Sequence, residues 1–215
     1  MEEKELIVSI TNILMCICFM TFFIRRREVD DYHKKDFNYF APLGILTTFM
    51  GFLYHYLRST GKTISETQLL WDFILYTTVF MSFFYTAIAV KIFSSSEKVL
   101  YSWKLFCKIK AVLFIVIQYN IQTVKVHFKD AEIVIFLISS LLPVCYLFIG
   151  FICNWKDKKF HFLGLASFLY LSTIFNRLFG EDFSTIFNLN SLMHFGIIVL
   201  LTAVFYHIKK KEIKV

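Results

Sequence analysis

Charged residues and prolines are scarce in this sequence. Only 18% of its 215 residues are charged and two are proline, whereas 57% are hydrophobic, with a mean hydropathy of +0.61. A soluble domain usually has about one quarter charged residues. The apolar runs also lack the alternating pattern of a membrane β-barrel. These absences exclude an ordinary soluble domain and predict an all-α, polytopic membrane protein.

The five cysteines lack the spacing of a metal site, and they do not form a disulfide framework. All of them lie in or beside apolar segments, where cysteine serves as a small packing residue. The net charge of +7 is carried by short connections between the apolar runs. This distribution predicts contact with membrane lipids, and a nucleic-acid partner is not expected.

Seven apolar runs are long enough with their flanks to cross a bilayer. We expect a single seven-helix transmembrane domain over residues 1–215. Lysine and arginine are concentrated in the connections on one side of the predicted membrane, and this basic set includes Lys110. The positive-inside rule therefore places the N-terminus outside and the C-terminus in the cytoplasm, and we expect the inner (plasma) membrane of a bacterium. The predicted helices cover about 6–24, 37–57, 69–93, 106–124, 131–153, 160–178 and 190–208.

Polar side chains interrupt the predicted helices at one depth. Asn190 and His194 are four residues apart and share one face of helix seven. His55 lies near the end of helix two, and Asp72 near the start of helix three. An ionisable residue at such a position usually faces the bundle interior or a polar cavity. We therefore predict a polar pocket in the extracytoplasmic third of the bundle, to which helices four and six would add Gln118, Asn120, Gln122, Asn176 and Arg177.

Two histidines and an aspartate at one depth predict a transition-metal site, with zinc as the favoured ion. His55, Asp72 and His194 would hold the metal, which would acidify a bound water for hydrolysis. Asp72 could instead act as a general base or orient a histidine. Asn190 could donate a hydrogen bond to a developing oxyanion.

Simpler structural explanations exist for three of these four residues. His55 could cap helix two or extend towards lipid headgroups, and Asp72 could stabilise the first turn of helix three. Asn190 could cap helix seven. His194 lies a full turn inside its helix, so it is the hardest of the four to explain without a function.

This pattern resembles the alkaline-ceramidase and progestin/adiponectin-receptor superfamily of seven-helix membrane proteins. Members of that superfamily have a small or hydroxyl residue one turn before a histidine at the end of helix two, matched here by Gly51 and His55. An aspartate early in helix three and a His-x-x-x-His pair in helix seven are matched by Asp72 and by Asn190 with His194. The resemblance implies a zinc-dependent hydrolase of lipid amides, with the N-terminus outside.

The sequence departs from that pattern at two of the matched positions. Gly51 stands where a serine hydroxyl is expected, and Asn190 replaces the first histidine of the helix-seven pair. The segment Phe187–His194 also resembles the Phe-Asn-His-Asn-x-Leu-Tyr-His motif of a bacterial seven-helix family, with Leu189 in place of its first histidine. A zinc ion would therefore need Asp72 as its third protein ligand.

Two classes of function follow from these observations. The first is a membrane-embedded, metal-dependent hydrolase that cleaves a lipid amide or ester. The second is a non-enzymatic membrane protein: a receptor-like, pore-forming or accessory subunit, for example of a bacterial defence system of the CRISPR type. The second class predicts a homo-oligomer or a protein partner.

Overall fold

The computed structural model shows an all-helical chain, as the composition predicts. It describes residues 2–124, 129–179 and 188–209, and within these ranges the side chains of 2–118, 138–176 and 188–209. Seven α-helices form in the described residues, which confirms the predicted number and order. They are α1 Glu2–Ile24, α2 Asp31–Ser59, α3 Ile64–Phe93, α4 Glu97–Val124, α5 Lys129–Cys153, α6 His161–Phe179 and α7 Leu189–Ile208.

Several helices begin earlier than their apolar runs because polar side chains cap them. The Asp30 side chain accepts the backbone N–H of His33 at 3.0 Å, which starts α2 six residues before the predicted bound. Thr63 and Glu66 form a reciprocal capping box at the start of α3. As a result Pro42 lies well inside α2.

Six of the helices close a ring, and the remaining helix, α4, packs outside it. In the order α1, α2, α3, α5, α6, α7, each helix contacts the next, and α7 contacts α1. Helix α4 packs on α3 and α5 from outside. Helices α2 and α3 run in opposite directions, because Phe40 stacks on Tyr85 near one end while Tyr54 contacts Trp71 near the other.

Four helices, α1, α2, α3 and α7, are long and apolar enough to cross a membrane. A fifth segment, Ile138–Cys153 of α5, is apolar but shorter. The chain is therefore a helical protein suited by length and composition to membrane insertion.

Ion pairs and a short bridge join the helices at the end of the bundle where α1 and α7 finish. We call this region the basic end. The Asp30 N–H donates to Ile208 O at 3.0 Å beside an antiparallel bridge between Val29 and Lys209. Lys91 Nζ lies 2.7 Å from Asp36 Oδ2. This approach is outside hydrogen-bonding geometry, so we treat the contact as an electrostatic pair.

Lys110 lies away from the basic end. The predicted orientation had included it among the basic residues of that side. Helix α4 begins at Glu97, so Lys110 lies about 20 Å along it. Its side chain is only 6% exposed. Cys107 and Phe114, three residues before it and four after, are also buried and share its face of the helix. This face packs on α3, because Phe114 contacts Tyr76 there.

Candidate functional site

A cavity of about 480 Å³ lies inside the ring of six helices. Its walls are mostly apolar, and no Lys, Arg, Asp or Glu is among the described side chains that line it. Residues of one face of α3, from Trp71 to Tyr85, follow it for about 21 Å of helix. The polar side chains in its wall are Asn12, Thr47, Thr48, His55, Thr78, Ser82, Tyr85, Ser139, Ser140, Tyr170, Asn190 and His194.

His55 lines this cavity and is oriented by a carboxylate from α1. Its Nδ1 lies 2.6 Å from Glu5 Oε2, and the two side chains are 18% and 22% exposed. A carboxylate accepts hydrogen bonds, so it fixes the ring proton on Nδ1. The Nε2 atom of neutral His55 is then a hydrogen-bond acceptor.

His194 lines the same cavity and is held by a hydroxyl from α1. Its Nδ1 is 2.7 Å from Thr11 Oγ1, whose own proton is donated to Val8 O at 2.9 Å. The Thr11 oxygen therefore accepts from His194, and Nε2 of this ring is again the acceptor. His194 is 7% exposed. Both histidines thus take their orientation from the first helix of the chain.

Asn190 lines the cavity, and a different asparagine caps α7. The Asn188 side chain accepts the backbone N–H of Ser191 at 2.9 Å and its hydroxyl at 3.1 Å. Asn188 therefore fills the capping position that Asn190 was expected to occupy. Asn190, on the first turn of α7, is placed with His194 on the cavity wall.

Asp72 is placed differently from the other three predicted site residues. Its Oδ1 accepts a hydrogen bond from Gln68 Nε2 at 2.7 Å, and it is not among the described residues that line the cavity. Within the part of the chain that the structure describes, no group of three His, Cys, Asp or Glu side chains is placed to hold a metal. In this arrangement Asp72 does not join the two histidines, so the three side chains do not fit a three-ligand zinc site. Zinc at His55, Asp72 and His194 stays a prediction that metal analysis can test.

Gly51 lies where α1 and α2 approach closely. A Cβ atom at this position would lie 2.6 Å from Asn12 Oδ1. Asn12 is 5% exposed and is fixed by a 3.0 Å hydrogen bond from its Nδ2 to Val8 O. The missing serine hydroxyl therefore has a packing explanation, because a side chain at position 51 would displace the Asn12 amide.

Ser82 lines the cavity and connects it to Lys110 on the outer helix. Lys110 Nζ donates to Ser82 Oγ at 2.6 Å, and Ser82 Oγ donates to Val79 O at 2.7 Å. One turn along α3, Tyr85 also lines the cavity, and its hydroxyl has no hydrogen-bond partner in the described part of the chain. Sequence reasoning missed this group. Lys110 is three residues after Cys107 and four before Phe114, and this spacing indicates that the lysine shares an apolar helix face with them.

Several residues predicted near the pocket lie elsewhere or outside the described side chains. Gln118 is buried and Asn176 is exposed, and neither lines the cavity. Asn120, Gln122, Arg177 and Phe187 fall outside the described side chains. Glu5, Thr11 and Asn12 on α1 were not expected at the site, because Glu5 has the position of an acidic residue in a first helical turn and the other two are small polar residues inside an apolar run.

The comparisons with known proteins assign a family and no activity. No curated protein and no solved structure matches this chain. A family model matches residues 7–212, which is nearly the whole sequence. The chain therefore belongs to DUF6962, a family of unknown function.

Proposed function

We propose that this protein binds a neutral, single-chain lipid inside its helical ring. The observation that carries the proposal is the mostly apolar cavity of about 480 Å³, which has polar groups at defined places in its wall. Pockets of about 300–1,000 Å³ with apolar walls and few polar groups are typical of small-molecule sites. A charged headgroup is disfavoured, since no acidic or basic side chain is among the described residues that line the cavity.

The headgroup would lie at the end of the cavity formed by His55, Asn190 and His194. Both histidines present Nε2 as an acceptor for a lipid hydroxyl, given their bonds to Glu5 and Thr11. The Asn190 amide can donate to a carbonyl or accept from a hydroxyl. A glycerol or an N-acylated amino-alcohol headgroup is neutral and has this combination of donors and acceptors, and the chain would extend along the apolar wall of α3.

The proposal includes the arrangement of the chain in the membrane. All seven helices would cross the inner membrane of a bacterium, with the N-terminus outside and the C-terminus in the cytoplasm. The basic residues near the ends of α1 and α7 support this orientation by the positive-inside rule, and removing Lys110 from the count leaves the asymmetry in place. The cavity end with the two histidines would then lie in the outer leaflet, where lipids enter laterally.

Photocrosslinking tests the proposed ligand directly. The probe is a monoacylglycerol with a diazirine in its acyl chain, added to the purified protein in mild detergent. We expect a saturable crosslink to peptides of α3 or α7, competed by unlabelled monoacylglycerol. His194→Phe and Asn190→Leu should weaken binding about tenfold each, because each removes one headgroup hydrogen bond.

Thr202→Val is the matched control, because Thr202 is exposed on α7, its hydroxyl donates to Ile198 O, and it does not line the cavity. This variant should bind the probe like the wild type. A crosslink that does not saturate, or that is unchanged in both site variants, contradicts the proposal.

The zinc-dependent hydrolase expected from the family resemblance is tested separately. Metal content of the purified protein should be compared for the wild type, His55→Ala and His194→Ala. About one zinc per chain, lost in both variants, would support the predicted ligands. The lipid-binding proposal requires no metal, so it is independent of this result. A receptor-like or accessory protein would bind the lipid without cleaving it.

A further inference from the structure

Lys110 is the most unusual charged residue inside the bundle. It lies near the middle of α4, it is 6% exposed, and in the described part of the chain it has no carboxylate partner. A buried ammonium without a counter-ion is costly, and an ionisable residue at membrane depth usually has a function. Its hydrogen-bond partner, Ser82 Oγ at 2.6 Å, is part of the cavity wall.

The order of these two groups indicates what they do. Ser82 lines the cavity, whereas Lys110 is not among the lining residues and reaches Ser82 from the outer helix. A ligand would therefore meet the serine hydroxyl first, with the amine behind it. A counter-ion for an anionic ligand would need the reverse order. A nucleophile activated by an adjacent base needs the order observed, and Ser–Lys pairs serve this purpose in known hydrolases.

Tyr85 completes the group. It lies three residues after Ser82 on the same face of α3, it is 8% exposed, and its hydroxyl is without a partner among the described residues. Its ring stacks on Phe40, with 5.1 Å between centroids. This packing fixes the ring on the cavity wall one turn from Ser82, and its unused donor is available to stabilise a developing oxyanion.

We propose that Ser82 and Lys110 form a nucleophile–base pair that cleaves an acyl ester of the lipid in the cavity. The proposal rests on the proposed lipid binding and specifies a reaction for it. Trp71, which contacts Tyr54 beside His55, is about 16 Å along α3 from Ser82, so the ester is cleaved when the lipid lies further along the cavity than in its headgroup contact with the histidines.

For the reaction the Ser82 hydroxyl turns from Val79 O to the neutral Lys110 amine, which accepts its proton as Oγ bonds to the ester carbonyl carbon. The carbonyl oxygen becomes the oxyanion and accepts the Tyr85 hydroxyl.

The intermediate collapses by breaking the bond to the lipid alcohol, which leaves with the proton from Lys110. The acyl group then remains on Ser82. A water molecule attacks this acyl-serine, Lys110 takes its proton and returns it to Ser82 Oγ, and the fatty acid is released. Overall, one ester and one water molecule are converted to one fatty acid and one alcohol, and the reaction uses no metal and no redox partner.

Labelling with a long-chain alkyl fluorophosphonate tests the pair. The probe forms an Oγ–P bond and releases fluoride only at an activated hydroxyl, and peptide mass spectrometry locates the adduct. We expect one adduct, on Ser82, that is absent in Ser82→Ala. Lys110→Met and Lys110→Arg should label at least 100-fold more slowly, because neither side chain can act as the base. Tyr85→Phe, which keeps the stacked ring, should lower hydrolysis of a p-nitrophenyl palmitate probe about 100-fold.

Ser167→Ala is the matched control. Ser167 is fully buried and donates to Leu163 O at 2.8 Å, but it does not line the cavity. Labelling of this variant should equal that of the wild type, and unfolding midpoints should show that every variant is folded. An adduct that persists in Ser82→Ala, or a wild-type labelling rate in Lys110→Met, would overturn the proposal.

The monoacylglycerol crosslink separates this proposal from the one on which it rests. Ser82→Ala should still crosslink to the photoactivatable lipid. A protein that crosslinks but forms no Ser82 adduct would be a lipid-binding protein without this reaction, so the pair would be rejected alone. A wild type that does not crosslink would reject lipid binding itself.

Discussion

Lys110 is buried and the Lys91 side chain is only 9% exposed, but the two lysines differ in the groups that compensate their charge. At the basic end, Lys91 donates to Tyr32 O at 2.6 Å, lies 4.7 Å from the centre of the Tyr32 ring and pairs with Asp36. A second lysine, Lys104, lies 3.8 Å from the same carboxylate. In the cavity region, the described partner of Lys110 is one serine hydroxyl.

The difference separates structural from chemical uses of the same residue type. A buried lysine with a carboxylate, a carbonyl and an aromatic face is compensated, and it fixes one helix against another. A lysine with only a hydroxyl is poorly compensated as a cation, and its neutral amine remains able to accept a proton. We therefore assign Lys91 to the packing of α2 on α3 and Lys110 to the cavity.

Lys91→Met should have the largest effect on stability. The change leaves Asp36 buried, with Lys104 as its more distant partner. Breaking a buried ion pair destabilises a protein by about 3–5 kcal/mol, and we expect the lower part of that range. Equilibrium unfolding in mixed detergent micelles measures the loss. The double variant Lys91→Met, Asp36→Asn should recover part of it, and a single variant as stable as the wild type would mean that the pair does not anchor this end.

Gly51→Ala should have the second largest effect, and it tests how tightly the cavity region is packed. The added methyl meets Asn12 Oδ1 at 2.6 Å, so either the amide or the helices must shift. Overpacking of this kind costs about 1–3 kcal/mol. In an Asn12→Ala background, Gly51→Ala should lower the free energy of unfolding by less, because the Asn12 amide that the added methyl would contact is absent. Equal costs in both backgrounds would contradict the close approach of α1 and α2.

Lys110→Met should change the free energy of unfolding by no more than about 1 kcal/mol. The substitution replaces a poorly compensated amine by an apolar chain of similar length, and such replacements are often neutral or stabilising. Ser82 keeps its contact with Val79 O. Compared with Lys91→Met under the same conditions, this variant gives the sharpest contrast between the two regions. A loss as large as that of Lys91→Met would make Lys110 a structural residue.

The helices could be predicted from the sequence because long apolar runs are sufficient to identify them. The shared depth of His55, Asn190 and His194 could also be read from their positions, and the three residues line one cavity. Their roles stay predictions, because the contacts that orient the two rings come from Glu5 and Thr11, far away in sequence. Pairing of such distant residues depends on which helices are neighbours, and one sequence does not specify this.

Lys110 shows a second limit of sequence reasoning. Its helix begins at Glu97, well before the apolar run, so a lysine at the edge of that run was counted with the loop charges. Only the packing of α4 on α3 turns this lysine inward, towards Ser82. A membrane-edge lysine and a lysine inside a bundle have the same local sequence context when the helix extends beyond its apolar part.

The smallest predicted effect lies at the surface of the basic end, where Glu28 joins two segments. Arg25 donates to both Glu28 oxygens at 2.8 Å, and Lys209 Nζ lies 3.1 Å away, which ties the α1–α2 connection to the end of α7. These hydrogen bonds, from Arg25 first and then Lys209, lower the pKa of Glu28 from 4.5 to about 2. A lowered carboxylate pKa contributes stability that is complete above about pH 4.5 and is lost as the pH falls towards 2.

Glu28→Gln should therefore lower the unfolding temperature slightly at neutral pH, and the difference from the wild type should disappear by about pH 2. A pH series of thermal unfolding at low salt measures this difference. High salt should reduce it, because both partners of this contact are exposed to solvent. A difference that does not depend on pH would mean that the ionised carboxylate does not hold the two segments together. In that case the buried pair of Asp36 and Lys91 would account for the closure of the basic end.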